Sequence, residues 1–208
     1  TVDFGGGPLS SAGLYDMFIA KYTAAGGHVW SRRFGAASND NVNGLTVDGG
    51  GNVLVTGDFT DTVDFGGGPV SSPVYSDMFI AKYTAAGEYL WSKNFGTSFV
   101  QETANGIAAD ANGNVVVTGS IYAALDLGGG ILYPNGGKDF FVVKFSATGV
   151  HLWSKRAGDS FEDSGVCLTT DAAGNVLATG WFQNVINFGG GPLINYGASD
   201  TFLVKFAP

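Results

Sequence analysis

"DMFIAKYTAAG" stands at residues 16–26 and again, letter for letter, at 77–87. Two drifted copies, "DFFVVKFSATG" and "DTFLVKFAP", begin at Asp139 and Asp200, so the steps are 61, 62 and 61 residues. Other landmarks keep this phase. Trp30, Trp91 and Trp153 sit in "HVWSRRFG", "YLWSKNFG" and "HLWSKRAG". Asp48, Asp110 and Asp171 open "DGGGNVLVTG", "DANGNVVVTG" and "DAAGNVLATG". "DFGGGP" at residues 3 and 64 returns as "DLGGGI" at 126 and "NFGGGP" at 187. Four landmarks in one phase define an internal repeat, with units at about 16–76, 77–138, 139–199 and a partial 200–208. All of them belong to one domain, residues 1–208.

Each unit reads as four strands. In the second they are "GLTVD" (44–48), "NVLVTGDF" (52–59), "DMFIAKYT" (77–84) and "YLWSKNFG" (89–96), with a long glycine-rich connection after the second strand. Asp48 can cap backbone N–H groups two residues on, and Gly51, Gly113 and Gly174 supply the left-handed residue of a tight hairpin. The second strand is informative: Val53, Leu54 and Val55 are apolar in succession, as are Val115, Val116 and Val117. A strand with one wet face alternates, so continuous apolarity predicts cover on both faces. Small four-stranded antiparallel sheets stacked face to face at a constant step describe an all-β fold, a β-propeller of about 61-residue blades.

Composition agrees. The 208 residues include 34 glycines, which suit many tight turns, and 45% are hydrophobic, enough for a large core. A net charge of -8 without any basic run disfavours nucleic acid and anionic membrane surfaces. No apolar run reaches transmembrane length, so helical membrane insertion is not expected. The chain starts in mid-repeat, so the lack of a leader at residue 1 carries no weight. Cys167 is the one cysteine, so no intrachain disulfide is expected.

The repeated unit, from "DMFIAKY" through "WSxxFG" and "GLTVDxxGNVLVTGxF" to "TVDFGGG", resembles the bacterial SBBP-type β-propeller repeat. The resemblance implies exported or cell-surface bacterial proteins and brings no catalytic residues. This chain holds about three blades: an outer strand pair at 16–35, two full units, and three strands of another. It is expected to be either part of a longer propeller or half of an oligomer that closes one, with self-association through the incomplete terminal blades or cover by the remaining blades of a longer chain.

Most motifs favour structural roles. The Asp-x-x-Gly-Asn turns resemble calcium loops, but the twelfth positions are Phe59, Ile121 and Phe182 rather than Glu, so no metal is expected. "DFGGGP" lacks the helix or Lys-Ser that a phosphate loop needs, so it reads as an irregular structural connection whose Asp caps the backbone. Lys21, Lys82, Lys144 and Lys205 repeat at one position and should pair with a repeated Asp that the sequence does not identify. His28 and His151 alternate with Tyr89, which argues packing rather than ligation. Cys167 aligns with Gly44 and Gly106 and reads as a small buried residue. No nucleophile elbow or triad is present, so no catalytic residue and no cofactor are expected.

Candidate ligand contacts lie in the loops entering the innermost strands: "AASNDNVN" (36–43), "TSFVQETAN" (97–105) and "DSFEDSGV" (159–166). Asp40, Asn41, Glu102 and Asp163 fall at nearly matching places. They either line the channel for a cation or sugar hydroxyls, or solvate the rim and cap strands, and the second reading is the stronger. Trp181 breaks the repeat, with Asp58 and Ser120 as counterparts, and is the fifth candidate. The long connection at 60–76, containing "GPVSSPVYS", is a second variable surface. The expected function is a non-catalytic binding or adhesion scaffold for protein or glycan, extracellular or at a bacterial cell surface. A structural spacer is the alternative, and a propeller hydrolase or lyase the third.

Overall fold

Valine, isoleucine, phenylalanine and threonine fill the segments between glycine turns, and those segments form strands throughout the computed structural model, which describes residues 1–97 and 100–207. Four antiparallel sheets follow the repeat. Sheet I pairs Met17–Tyr22 with His28–Phe34. Sheet II orders Asn41–Val47, Val53–Asp64, Pro69–Tyr83 and Tyr89–Phe95. Sheet III orders Thr103–Ala109, Val115–Ile121, Asp139–Phe145 and His151–Ala157. Sheet IV joins Asp163–Thr170, Val176–Phe182 and Asp200–Phe206. No helix occurs among the described residues.

The turns follow the expected chemistry. Asp48 Oδ1 accepts from the N–H of Gly50 and Asn52, and Gly51 takes φ +78°. Asp110 and Asp171 repeat the arrangement. Asp64 caps Gly66 and Gly68, whereas Asn187 caps Gly189, as the tolerated Asp-to-Asn swap requires. The middle glycine of that loop sits on the repeated aromatic: a Cβ at Gly67 would lie 2.3 Å from Tyr89 Oη, and one at Gly129 would lie 2.0 Å from His151 Cε1. His28, Tyr89 and His151 are therefore packing residues beneath the glycine loops.

Two strand boundaries differ from the sequence reading. The innermost strand of sheet II begins at Asn41 rather than Gly44, because a β-bulge between Val42 and Gly44 lets pairing resume beyond it. The connection at 60–76 is not irregular. After a bulge at Phe59/Asp61 the two strands keep pairing from Asp61↔Ser72 to Asp64↔Pro69. Shorter hairpins occupy the same place in the other copies, and Pro8 pairs with Asp3 in one of them. Proline fits as the first residue of such an edge strand, where no ladder donor is needed.

The core is three layers, each between successive sheets. Met17, Ile19 and Phe34 of sheet I meet Val55, Phe59, Phe79 and Tyr83 of sheet II. Leu54, Met78 and Ile80 meet Ile107, Val117, Phe141 and Phe145 of sheet III. Val116, Phe140 and Val142 meet Leu168, Ala178, Phe202 and Phe206 of sheet IV. Val53 to Phe59 and Val115 to Ile121 are buried at every position, which is what their unbroken apolar runs predict. Each buried large side chain contributes about 1.5–3 kcal/mol, so these layers dominate stability.

Polar contacts stitch the same junctions. Trp30 Nε1 and Lys21 Nζ donate to the Ala85 carbonyl of the next unit, at 3.1 and 2.7 Å. Trp91 and Lys82 do likewise to Ala147, at 3.1 and 3.2 Å. The Asp partner of the repeated lysine is the turn Asp of its own sheet: Lys82–Asp48 at 2.9 Å, Lys144–Asp110 at 3.0 Å and Lys205–Asp171 at 2.7 Å. Cys167 is exposed, which corrects the buried reading. Gly44 and Gly106 face the following sheet, with Ile107 and Cys167 among the nearest atoms to a Cβ there. Cys167 holds the same position in sheet IV, and among the described residues no further sheet covers it.

Candidate functional site at the inner strands

The innermost strands of sheets II, III and IV lie side by side, and amides link them. Asn43 Nδ2 donates to the Ala104 carbonyl at 3.1 Å, and Asn105 Nδ2 donates to the Gly165 carbonyl at 2.8 Å. Asn105 also reaches Ser164 Oγ at 3.3 Å. Asn41 and Asn43 each donate to Asp58, at 3.1 Å. Cross-strand register then places Ser120 opposite Thr103 in sheet III, and Trp181 between Ser164 and Thr201 in sheet IV. The result is a polar belt of Asn41, Asn43, Asp58, Thr103, Asn105, Ser120 and Ser164 that ends at Trp181. Asn41 and Asn43 are exposed, Thr103, Asn105 and Trp181 are half-buried, and Asp58, Ser120 and Ser164 are buried.

The three carboxylates of the entering loops are placed differently. Asp40, Glu102 and Asp163 are 2%, 0% and 0% exposed, so they are not rim residues open to a ligand. Asp40 accepts the N–H of Ala36 and Thr60, and Asp163 accepts the equivalent N–H of Asp159 and Gln183. Glu102 accepts the N–H and hydroxyl of Thr97. Each caps its own loop from a buried position rather than solvating the rim. The middle loop includes Ser98 and Phe99, which lie outside the described residues.

Each cap has an acidic neighbour that the sequence reading did not connect to it. Asp16 precedes Asp40 by 24 residues and Asp139 precedes Asp163 by the same number. Arg33 pairs with Asp16 and Arg156 with Asp139. At Gly158 (φ +153°) a Cβ would lie 2.7 Å from both Asp139 Oδ1 and Asp163 Oδ2, so only glycine admits this approach. Burial raises the pKa of Asp163 to about 6, against the backbone bonds that lower it and with Asp159 and Asp139 adding to it. Burial likewise raises Asp40 and Asp139, and lifts Glu102 to about 7. Such pairs are the raw material of acid–base chemistry. These recur in sheets I and III with the same arginine and the same caps, the pattern of a structural device repeated with the unit.

No group of three or more His, Cys, Asp or Glu side chains able to hold a metal ion occurs among the described residues. No helix among the described residues is long and apolar enough to cross a membrane. The sequence signals for the belt were present but weak. Asn43 and Asn105 repeat at one position that becomes Val166, and Asp58, Ser120 and Trp181 hold a strand position that changes from acid to hydroxyl to indole while its neighbours vary only among apolar residues.

Comparison with known proteins agrees with the repeat. Residues 29–58 match the SBBP β-propeller repeat. Over 124 residues the chain is 29% identical to an uncharacterized WD repeat-containing protein of Acanthamoeba polyphaga mimivirus, covering 53% of this chain and 9% of that protein. Over 171 residues it is 28% identical to the regulatory protein FlaEY of Caulobacter vibrioides, covering 78% of this chain and 17% of that one. The chain thus spans less than a fifth of the length of these curated relatives. A crystal structure of a protein of unknown function from Bacteroides caccae aligns over 85% of this chain and 70% of its own at 11% identity, but with a TM-score of 0.34, which carries no argument. The stretch from Val29 to Asp58 thus matches the SBBP β-propeller repeat that the sequence resembles.

Proposed function

We propose that the chain is a non-catalytic β-propeller scaffold that binds a hydroxyl-rich ligand, a surface glycan or a polar protein segment, along the polar belt of its inner strands. On this reading each four-stranded sheet is a propeller blade, and the chain supplies about three blades' worth of strands. The observation that carries it is the belt itself: a repeated framework in which the position that changes chemical class brings Asp58, Ser120 and Trp181 to matching points on three adjacent sheets. Asn41 and Asn43, the exposed members of the belt, supply amide groups for sugar hydroxyls, and the half-buried Trp181 indole supplies an apolar plate, while the buried Asp58, Ser120 and Ser164 form the layer beneath. Both oxygens of Asp58 accept from asparagine amides, which fixes its carboxylate in place beneath them.

A non-catalytic role is supported by the use of the buried carboxylates as loop caps in each unit. Placement outside the cell or on a bacterial surface follows from the resemblance and belongs to the same proposal. The test is a glycan and cell-envelope binding screen with the purified chain. Trp181→Ala and Asn43→Ala should abolish the binding found, whereas Asn112→Ala, on a turn at the opposite strand ends, should leave it intact. Binding that survives both belt substitutions would remove the belt from the account, and an unbroken series of negative screens would favour the structural-spacer reading.

A further inference from the structure

The three internal layers are one interface repeated, and each end of the stack displays one half of it. On the face that receives the preceding sheet, Phe79 and Phe141 are fully buried, as are Tyr83 and Phe145. Their counterparts in sheet I, Phe18 and Tyr22, are 51% and 45% exposed. On the face that meets the following sheet, Ile19, Ile80 and Val142 are buried, whereas their counterpart in sheet IV, Leu203, is 73% exposed. Lys205 shows the same break: its side chain is 56% exposed, against 4% for Lys82 and 5% for Lys144.

The halves are complementary because they are the halves that already meet inside the chain. Phe18 is preset for its role, stacked on Phe4 at 4.4 Å as Phe79 is on Phe65 at 4.6 Å. Tyr22 Oη bonds the Phe4 carbonyl as Tyr83 Oη bonds that of Phe65. Sheet I therefore presents a formed receiving face rather than a frayed edge. One position departs from the pattern: Thr201 stands where Met17, Met78 and Phe140 pack, so the terminal layer is thinner in apolar content than the internal ones.

We propose that the exposed face of sheet IV takes the exposed face of sheet I from a second copy, so that this 208-residue chain associates head to tail. The contact seats Leu203 against Phe18 and Tyr22, and Lys205 near the turn at Thr23–Gly26, whose equivalents accept from Lys21 and Lys82 at the internal junctions. The interface is heterologous, with different surfaces on the two partners, and so it grows or closes into a ring rather than stopping at a two-fold dimer. This proposal is independent of the ligand reading above, since it uses the end faces and not the belt.

Sedimentation velocity across a concentration series tests it. The native chain should show concentration-dependent association. Phe18→Glu and Leu203→Glu, both on exposed side chains and so compatible with folding, should each weaken association about 30-fold or more, as loss of a central contact does. Circular dichroism, and a urea midpoint unchanged from that of the native chain at concentrations where both are monomeric, establish that the variants are folded. Mixed together, the two variants should form a one-to-one heterodimer, because Phe18→Glu keeps an intact sheet IV face and Leu203→Glu keeps an intact sheet I face. A native chain that stays monomeric throughout the series, or variants that fail to complement each other, would overturn the proposal.

Discussion

The repeated lysine offers the same ion pair in different surroundings, and replacing it with methionine tests what burial does to its worth. Lys82 and Asp48 are both 4% exposed at the side chain, and Lys144 and Asp110 are 5% and 2% exposed. The outer copy, Lys205 with Asp171, is 56% and 31% exposed. Lys82→Met leaves Asp48 buried without its cation and also removes the bond to Ala147 of the next unit. Breaking one partner of a buried pair costs about 3–5 kcal/mol. With a urea m-value of about 2–3 kcal/mol per M, the midpoint should fall by about 1–2 M. Lys144→Met should behave alike. Lys205→Met should leave the midpoint almost unmoved, since water screens that pair. The double change Asp48→Asn with Lys82→Met should regain most of the loss, because no buried charge remains. Urea titrations followed by tryptophan fluorescence and circular dichroism measure all four. Equal shifts for Lys82→Met and Lys205→Met, or a shift of only a few tenths of a molar for Lys82→Met, would refute the reasoning.

Three further outcomes follow from particular residues. Glu102 has its folded-state pKa raised by burial from 4.5 to about 7, so the native state binds more protons than the unfolded state between those values, and stability falls as pH rises through that window. Glu102→Gln should flatten this slope and gain about 1–3 kcal/mol at pH 8 with little change at pH 4; a parallel pH profile would contradict the assignment. Gly119→Ala should cost about 2–3 kcal/mol, because its Cβ would lie 1.9 Å from the Thr103 carbonyl oxygen across the bulge. Gly49→Ala, with open space around it, should stay within about 0.5 kcal/mol in the same denaturation assay. At concentrations low enough to keep the chain monomeric, Cys167 should react with a thiol reagent at nearly the rate of the unfolded chain, and protection until denaturant is added would contradict its exposure.

The strands were legible because their signal is local. Unbroken apolar runs at Val53 and Val115 announced burial on both faces, and Asp-x-x-Gly-Asn fixed the hairpin register. The hairpin beyond Phe59 was not legible. Its glycines and prolines read as a loop, yet at an outer edge a proline needs no ladder partner and the glycines let the chain pass over Tyr89. The lysine's partner was hidden for a different reason: Asp48 and Lys82 are 34 residues apart and meet only because strands two and three pair. The acid pairs were hidden in the same way. Asp139 opened a repeat copy and Asp163 lay in an entering loop, but nothing in the sequence joined them, and only the close approach at Gly158 brings them together. Cys167 misled because the repeat reports the position and not the neighbour; glycine stands there where a following sheet packs close, as at Gly44 and Gly106, and Cys167 is exposed.

Hydrogen–deuterium exchange on the whole chain tests the stack of sheets most directly. If three layers between four sheets hold the fold, amides of residues 53–59 and 115–121 exchange last and together, at rates set by global unfolding. Those of 17–22 and 200–206, each in an end sheet, exchange earlier. Uniform protection from sheet I to sheet IV in a monomeric sample, or fast exchange at Val115 to Ile121, would contradict the stack.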